Sequence, residues 1–117
     1  MTDKLIYTIY SDAANYSDPD AFASDWSTSS AVLDPEDPTG EVDLSLYGQL
    51  CTLWHVANDP FREFLQLLGL SQAKCSRRFC IPLRTIEDWA GDRRMPPSYL
   101  RLMMAELAGL VSLREVS

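Results

Sequence analysis

Residues 70–89 constrain the fold of this 117-residue chain more than any other stretch. Ser71 is a favourable N-cap, because its hydroxyl can accept a hydrogen bond from an amide of the first helical turn. Pro82 can open a second helix, where its missing N–H costs nothing. The pattern predicts two short helices joined by a tight turn at Cys80 and Ile81.

The spacing of side chains assigns an inner and an outer face to these two helices. Ala73, Ser76 and Phe79 recur at helical spacing and predict the inward stripe of the first helix. Ile86 and Trp89 predict the buried face of the second. The start and outer face of that helix are left to Leu83, Arg84, Thr85, Glu87 and Asp88. Small residues at a crossing, a turn and a second helix with polar residues at its start are typical of a helix-turn-helix, here residues 71–89.

Charge is divided unevenly along the chain, whose net charge is −7. Residues 1–59 hold eleven acidic residues and one basic residue, whereas residues 60–117 hold nine basic and six acidic ones. Residues 72–101 hold seven basic and three acidic residues. The acidic isoelectric point therefore results from the first half of the chain, whereas the second half is basic. A basic second half favours contact with nucleic acid.

Length and composition indicate one small domain with an appendage. A hydrophobic content of 46% suffices for a core, and no apolar run approaches the roughly 18 residues of a membrane span. The N-terminus lacks the basic-then-apolar layout of a signal peptide. Three cysteines without paired short spacings favour reduced thiols. We therefore expect a cytoplasmic protein that does not enter a membrane.

The first half of the chain predicts a short helix, a linker and a longer helix. Residues 5–10, LIYTIY, fit either a strand or an apolar arm lying on a helical core. Ser17-Asp18-Pro19 followed by residues 20–26 predicts a capped short helix. Residues 27–40 are expected to be an exposed linker, and residues 42–57 an amphipathic helix.

The second half predicts a helix on each side of the helix-turn-helix. Asp59 as cap and Pro60 at the first position predict a helix that Gly69 ends. Residues 90–97 predict a loop, because two prolines forbid continuation of the preceding helix. Residues 98–111 predict a closing helix, with the expected core residues Leu100, Met103, Met104, Leu107 and Leu110.

Residues 61–110 resemble the Xre/Cro, or phage-repressor, family of helix-turn-helix domains. The resemblance rests on Gly69-Leu70-Ser71-Gln72, on the helix from Ala73 to Phe79, on Thr85-Ile86 with Trp89, and on the loop from Gly91 to Pro97. It implies an all-α, lambda-repressor-like domain, here residues 41–117, with an extra preceding helix and an acidic N-terminal extension, residues 1–40. Residues 10–15, YSDAAN, also resemble small uncharacterised regulators of gut bacteria and their mobile elements.

The resemblance implies roles in DNA binding for named residues. Base contacts are implied for Leu83, Arg84, Thr85 and Asp88, and phosphate contacts for Gln72, Arg93 and Arg94. The positions of other cations add further phosphate candidates, namely Lys74, Arg77, Arg78 and Arg101.

Two of these residues, and the turn residue Cys80, need separate consideration. The planar guanidinium of Arg84 matches the two acceptors on the major-groove edge of guanine, but Arg84 could pair with Asp88 four residues on instead. Leu83 can make only apolar contact, for example with a thymine methyl. Cys80 occupies the turn position usually taken by glycine, which tolerates a left-handed backbone better.

Catalytic and metal sites find little support in the sequence. Cys51, His55, Cys75 and Cys80 could form a Cys₃His zinc site, but no C-x-x-C spacing is present, so buried thiols and an ordinary helix histidine are favoured. No constellation of nucleophile, base and metal ligands indicates an enzyme. We expect neither a cofactor nor a metal.

These observations predict a sequence-specific transcriptional regulator, for example a repressor of a mobile element or a toxin–antitoxin operon. The helix at residues 82–90 would enter the major groove of double-stranded DNA. Homodimerisation, in part through the 42–57 helix, would allow two half-sites to be read. The alternative is a protein-interaction module, such as an antitoxin or a phage-encoded inhibitor, that binds a protein partner through its acidic N-terminal region.

Overall fold

The computed structural model describes residues 1–32 and 44–115, and these residues form an all-α structure without strands. Its α-helices are α1 (Asp3–Asp12), α2 (Pro19–Ser27), α3 (Leu44–Asn58), α4 (Phe61–Leu68), α5 (Gln72–Phe79), α6 (Leu83–Ala90) and α7 (Ser98–Leu107). Short 3₁₀ helices follow α1 and α7, at Ala13–Asn15 and Leu113–Glu115. Within the described ranges, no helix is both long and apolar enough to cross a membrane.

Residues 5–10 lie in α1, so the strand considered for them is wrong. Thr2 caps this helix, because its side chain accepts a hydrogen bond from the amide of Leu5. The buried side chains of α1 are Ile6, Ile9 and Tyr10, whose spacing is that of one helix face. That spacing outweighs the β-branched and aromatic composition, and α1 lies on the core as an apolar helical arm.

The first two helices share one hydrophobic core with α3 to α7. Phe22 of α2 and Leu50 of α3 are fully buried, and α2 packs along α3. The hydroxyl of Tyr10 donates to the carbonyl of Ser98 at 2.8 Å, which joins α1 to the start of α7. Removing residues 1–32 would therefore expose core side chains to water. The predicted domain boundary at residue 40 and most of the predicted linker lie outside the described residues.

The boundaries of α2, α3 and α4 follow the predicted pattern with one correction. The predicted cap of α2 is present, and it is Asp18, which accepts from two amides of the first turn. Asp59 does not cap α4, which begins at Phe61 and has Pro60 at the capping position. The carboxylate of Asp59 instead lies 3.0 Å from Nδ1 of His55.

The closing helix α7 is shorter than predicted and buries a different set of residues. It ends at Leu107, and Met104 is buried as expected. Met103 and Leu107 were expected in the core, but they are 52% and 70% exposed. The core positions of α7 are taken by Arg101, Leu102, Met104 and Ala105.

Candidate nucleic-acid interface

Helix α5 presents polar and basic side chains to solvent. Ser71 caps it as predicted, because its hydroxyl accepts from the amide of Lys74 at 3.1 Å. Gln72, Lys74 and Arg77 are all exposed. The described residues offer these three side chains no hydrogen-bond or ion-pair partner, so their donors remain available to a ligand.

The inner face of α5 is rotated from the predicted one. Cys75 is fully buried, and Ser76 and Phe79 are half-buried. Ala73 is exposed, so its assignment to the inward stripe is wrong. Cys75 lies four residues before Phe79 and therefore shares its face, whereas Ala73 lies six residues before it.

The turn between α5 and α6 is held by hydrogen bonds around Cys80. Cys80 adopts a left-handed backbone with φ 55°, the conformation that glycine favours, and its N–H donates to the carbonyl of Ser76. The amide of Ile81 donates to the same carbonyl, and the Ser76 hydroxyl donates back to the carbonyl of Ile81. Pro82 occupies the capping position, so α6 begins at Leu83, one residue later than predicted.

Helix α6 is anchored on one side and open on the other. Ile86 and Trp89 are buried, as predicted, and the Trp89 ring meets the Phe61 ring of α4 edge-on, with centroids 5.3 Å apart. On the opposite side Leu83 is 43% exposed, and Arg84 is also exposed. The remaining outer positions are exposed at Glu87 and half-buried at Thr85 and Asp88.

Arg84 and Asp88 do not form the ion pair that their spacing allows. Oδ1 of Asp88 lies 3.2 Å from Nε of Arg93, beyond the end of the helix. Arg84 has no hydrogen-bond or ion-pair partner within residues 1–32 and 44–115. Its guanidinium is therefore free to meet two acceptors at once.

The loop after α6 carries two exposed arginines on an anchored backbone. The amides of Arg93 and Arg94 both donate to the carbonyl of Asp88, at 2.9 and 3.4 Å. Asp92 has a left-handed backbone, and its carboxylate lies 3.7 Å from Nη1 of Arg62. Arg62 thus lies beside this loop although it is distant in sequence, which charge counting along the chain did not indicate.

Two of the predicted phosphate candidates are engaged in the fold. Arg101 is 6% exposed, its Nη2 donates to the carbonyl of Asp59 at 2.6 Å, and its guanidinium lies over the Phe64 ring. Burial lowers the pKa of Arg101. The prediction of a phosphate contact for Arg101 is therefore wrong. Nη2 of Arg78 donates to the carbonyl of Leu107, which links α5 to the end of α7.

The cysteines are free thiols in three different environments. Cys75 is buried, Cys51 is half-buried and Cys80 is exposed. Burial raises the pKa of the Cys51 and Cys75 thiols, which disfavours the thiolate needed for metal binding or nucleophilic attack. Within the described ranges, no group of three or more histidine, cysteine or carboxylate side chains is placed to hold a metal ion.

Several carboxylates of the acidic half hold the N-terminal helices together. Asp12 accepts from the Trp26 indole at 2.9 Å, and Asp25 accepts from the Tyr16 hydroxyl at 2.7 Å. Asp20 accepts from the Tyr47 hydroxyl, which joins α2 to α3. The other acidic residues of this half include Asp34, Glu36, Asp37, Glu41 and Asp43, which lie outside the described residues.

Exposed cations therefore belong to three consecutive elements: α5, the start of α6 and the 91–97 loop. The buried faces of α5 and α6 fix these elements on the core, so the positions of the cations are set by the fold. Comparison of the chain with protein-family models, with curated proteins and with solved structures finds no match.

Proposed function

We propose that the chain binds double-stranded DNA as a sequence-specific transcriptional regulator. In this proposal residues 71–89 act as a helix-turn-helix and α6 enters the major groove. The observation that carries it is Arg84, an exposed and unpaired guanidinium at the start of a helix whose opposite face is buried. Such an arginine can make the bidentate contact to O6 and N7 of guanine that is the commonest base-specific contact.

The neighbours of Arg84 have complementary roles in the proposal. Leu83 contacts a thymine methyl, and the Thr85 hydroxyl donates to or accepts from a base edge. Asp88 uses Oδ1 for Arg93, and its second oxygen is left to accept from a cytosine amino group. These contacts would determine which base sequence is preferred.

Phosphate contacts would set affinity and orientation on the duplex. The side chains proposed for them are Gln72, Lys74, Arg77, Arg93 and Arg94, all exposed. Each cation that neutralises a phosphate releases counterions, so binding should weaken steeply as salt rises. The carboxylates of Glu87 and Asp88 lie on the same helix and repel phosphates, so we expect a modest affinity.

The described carboxylates of the acidic half give the interaction proposal little support. Asp12, Asp20 and Asp25 accept hydrogen bonds within the fold, as does Asp18 at the N-cap of α2, so these carboxylates have structural roles. An interaction module remains the outcome to which a negative DNA result would point.

The test is equilibrium binding of the full chain to a mixed-sequence duplex at several salt concentrations. Arg94→Ala removes a proposed phosphate contact, and Lys4→Ala removes a positive charge on α1 that is also exposed. We expect Arg94→Ala to weaken binding and to lower the slope of log K against log salt by about 1, whereas Lys4→Ala leaves both unchanged. No binding at low salt, or equal losses in the two variants, would contradict the proposal.

A further inference from the structure

A recess opens where the chain turns after the end of α7. Its volume is about 480 Å³, which is within the range of pockets that hold small molecules. Gly109, whose backbone is left-handed, turns the chain away from α7 and forms part of the lining. The apolar side chains of the lining belong to α7 and to the segment that follows it, namely Met103, Leu107, Val111 and Leu113. The recess is therefore large enough, and apolar enough, for a small aromatic molecule.

The segment that forms one wall of this recess is fixed on the core. Val111 is 3% exposed and Leu113 is fully buried. Between them, the amide of Ser112 donates to the side-chain oxygen of Gln49 on α3 at 2.8 Å. This wall is thus in place before any ligand arrives, so binding loses little free energy in ordering the chain.

In the described part of the chain, three charged side chains line the recess, and two of them are acidic. Nε of Arg114 lies 2.8 Å from Oε2 of Glu106, and Nη1 of Arg114 bonds the carboxylate of Asp3 on α1. A single guanidinium is therefore shared by two carboxylates. The exposed carboxylate of Glu115 has no hydrogen-bond or ion-pair partner among the described residues. The lining thus carries an excess of negative charge.

Two further cations lie near the recess but outside its lining. Nη2 of Arg78 donates to the carbonyl of Leu107 from α5, and the amino group of Met1 donates to the carbonyl of Leu113 at 3.4 Å. Neither of these cations lines the recess. A ligand inside the recess therefore meets the carboxylates of the lining before it meets either cation.

We propose that the recess binds a small amphipathic amine, with an aromatic body among the apolar side chains and an ammonium group at the carboxylates. The ammonium meets two acceptors: the carboxylate of Glu115, and Oε1 of Glu106, whose other oxygen bonds Arg114. The thioether of Met103 favours an aromatic body, because methionine sulfur packs well against rings. A carboxylate ligand of the same shape would have to compete with Glu106 and Asp3 for Arg114.

The test is titration of the full chain, without DNA, with three probes that share one phenylbutyl body: phenylbutylamine, phenylbutanol and phenylbutyrate. None of the lining residues is among the proposed DNA contacts, so the result does not depend on the proposed function. We expect the amide chemical shifts of residues 103–115 to report saturable binding of phenylbutylamine. Its affinity should exceed that of phenylbutyrate by roughly tenfold or more, because the two probes differ only in the sign of their charge.

Two variants separate the contribution of charge from that of the apolar wall. Glu115→Gln should weaken binding of phenylbutylamine by roughly twofold to fivefold and leave phenylbutanol unaffected, because it removes one exposed carboxylate. Its control is Glu63→Gln, the same change at an exposed residue of α4 outside the recess. Leu107→Ser should weaken binding of all three probes, whereas Leu44→Ser, at a residue that is 82% exposed, should weaken none.

The opposite results overturn the proposal. Without saturable shifts up to millimolar phenylbutylamine, the recess is not an amine site. Binding of phenylbutyrate as tight as that of phenylbutylamine shows that the carboxylates do not select the ligand. Equal effects of a variant and its control place the binding outside the recess. Circular dichroism checks that each variant is folded, and Met103→Ser replaces Leu107→Ser should the latter unfold.

Discussion

Oδ1 of Asp88 lies 3.2 Å from Nε of Arg93, whereas Arg84, one turn before Asp88 on α6, has no partner within the described residues. Arg84 at the start of α6 is therefore a free cation, whereas the charge of Arg93, beyond the end of the helix, is partly neutralised by Asp88. A free guanidinium can align with a base edge, and a compensated one loses part of its attraction for phosphate. The two arginines should thus contribute differently to DNA binding.

Asp88→Asn should bind mixed-sequence duplex several-fold more tightly than the unaltered chain. The change removes one negative charge near the duplex and releases Arg93 to neutralise a phosphate. Glu87→Gln removes the same charge but frees no cation, so its gain in affinity should be smaller. Titration of both variants at one salt concentration measures the difference, and an equal or smaller gain for Asp88→Asn would refute it.

Arg101→Ala should destabilise the fold without changing the affinity for DNA. The change removes the hydrogen bond to the Asp59 carbonyl and the contact with the Phe64 ring, and we expect a loss of about 2–3 kcal/mol of unfolding free energy. Urea unfolding measures the loss. Binding measured well below the transition should be unchanged, and weakened binding by the folded variant would restore Arg101 as a phosphate contact.

Cys80→Gly should stabilise the protein by about 0.5–1 kcal/mol, because glycine removes the cost of the left-handed backbone at an exposed position. Gly69→Ala is the matched control, because it adds a side chain at a left-handed position instead of removing one. Gly69 has φ 73° and no heavy atom within 4 Å of an added Cβ, so strain alone should destabilise that variant by about 1 kcal/mol. Thermal unfolding should show a higher melting temperature for Cys80→Gly and a lower one for Gly69→Ala. Shifts of both melting temperatures in the same direction would be inconsistent with this explanation.

The hydrogen bond between Tyr16 and Asp25 should make stability depend on pH in the alkaline range. That bond raises the pKa of Tyr16 to about 12, above its ordinary value of 10.0. A raised pKa in the folded state means that the stabilisation is complete below about pH 10 and is lost as the pH rises toward 12. The stability difference between the unaltered chain and Tyr16→Phe should therefore shrink over this range. A difference that stays constant with pH would count against the bond.

Local sequence patterns predicted most of the helices, because capping residues, helix-ending residues and the spacing of apolar side chains can be read within each helix. Ser71 caps α5 and Gly69 ends α4, as expected, and α2 is capped as expected, with Asp18 as the capping residue. The buried pair Ile86 and Trp89 was readable from spacing alone. The same kind of spacing was present in α1, but the β-branched and aromatic composition of residues 5–10 obscured it.

Burial on the closing helix was not predictable, since it depends on which elements pack against it. Arg101 looks like a surface cation in the sequence and becomes buried only because Phe64 and the Asp59 carbonyl meet it. Met103 and Leu107 look like core residues, yet no described element covers them. Likewise, the preference of Asp88 for Arg93 over Arg84 depends on the path of the loop, which spacing along a helix cannot give.

Selection from a random duplex library, with the full chain and with Arg84→Ala at two salt concentrations, tests the central claim most directly. We expect an enriched motif containing guanine for the unaltered chain. With Arg84→Ala we expect weaker enrichment of that motif, at a cost of about 1–3 kcal/mol of binding free energy on the selected site. No enrichment with either protein, or the same motif at the same strength with both, would contradict it.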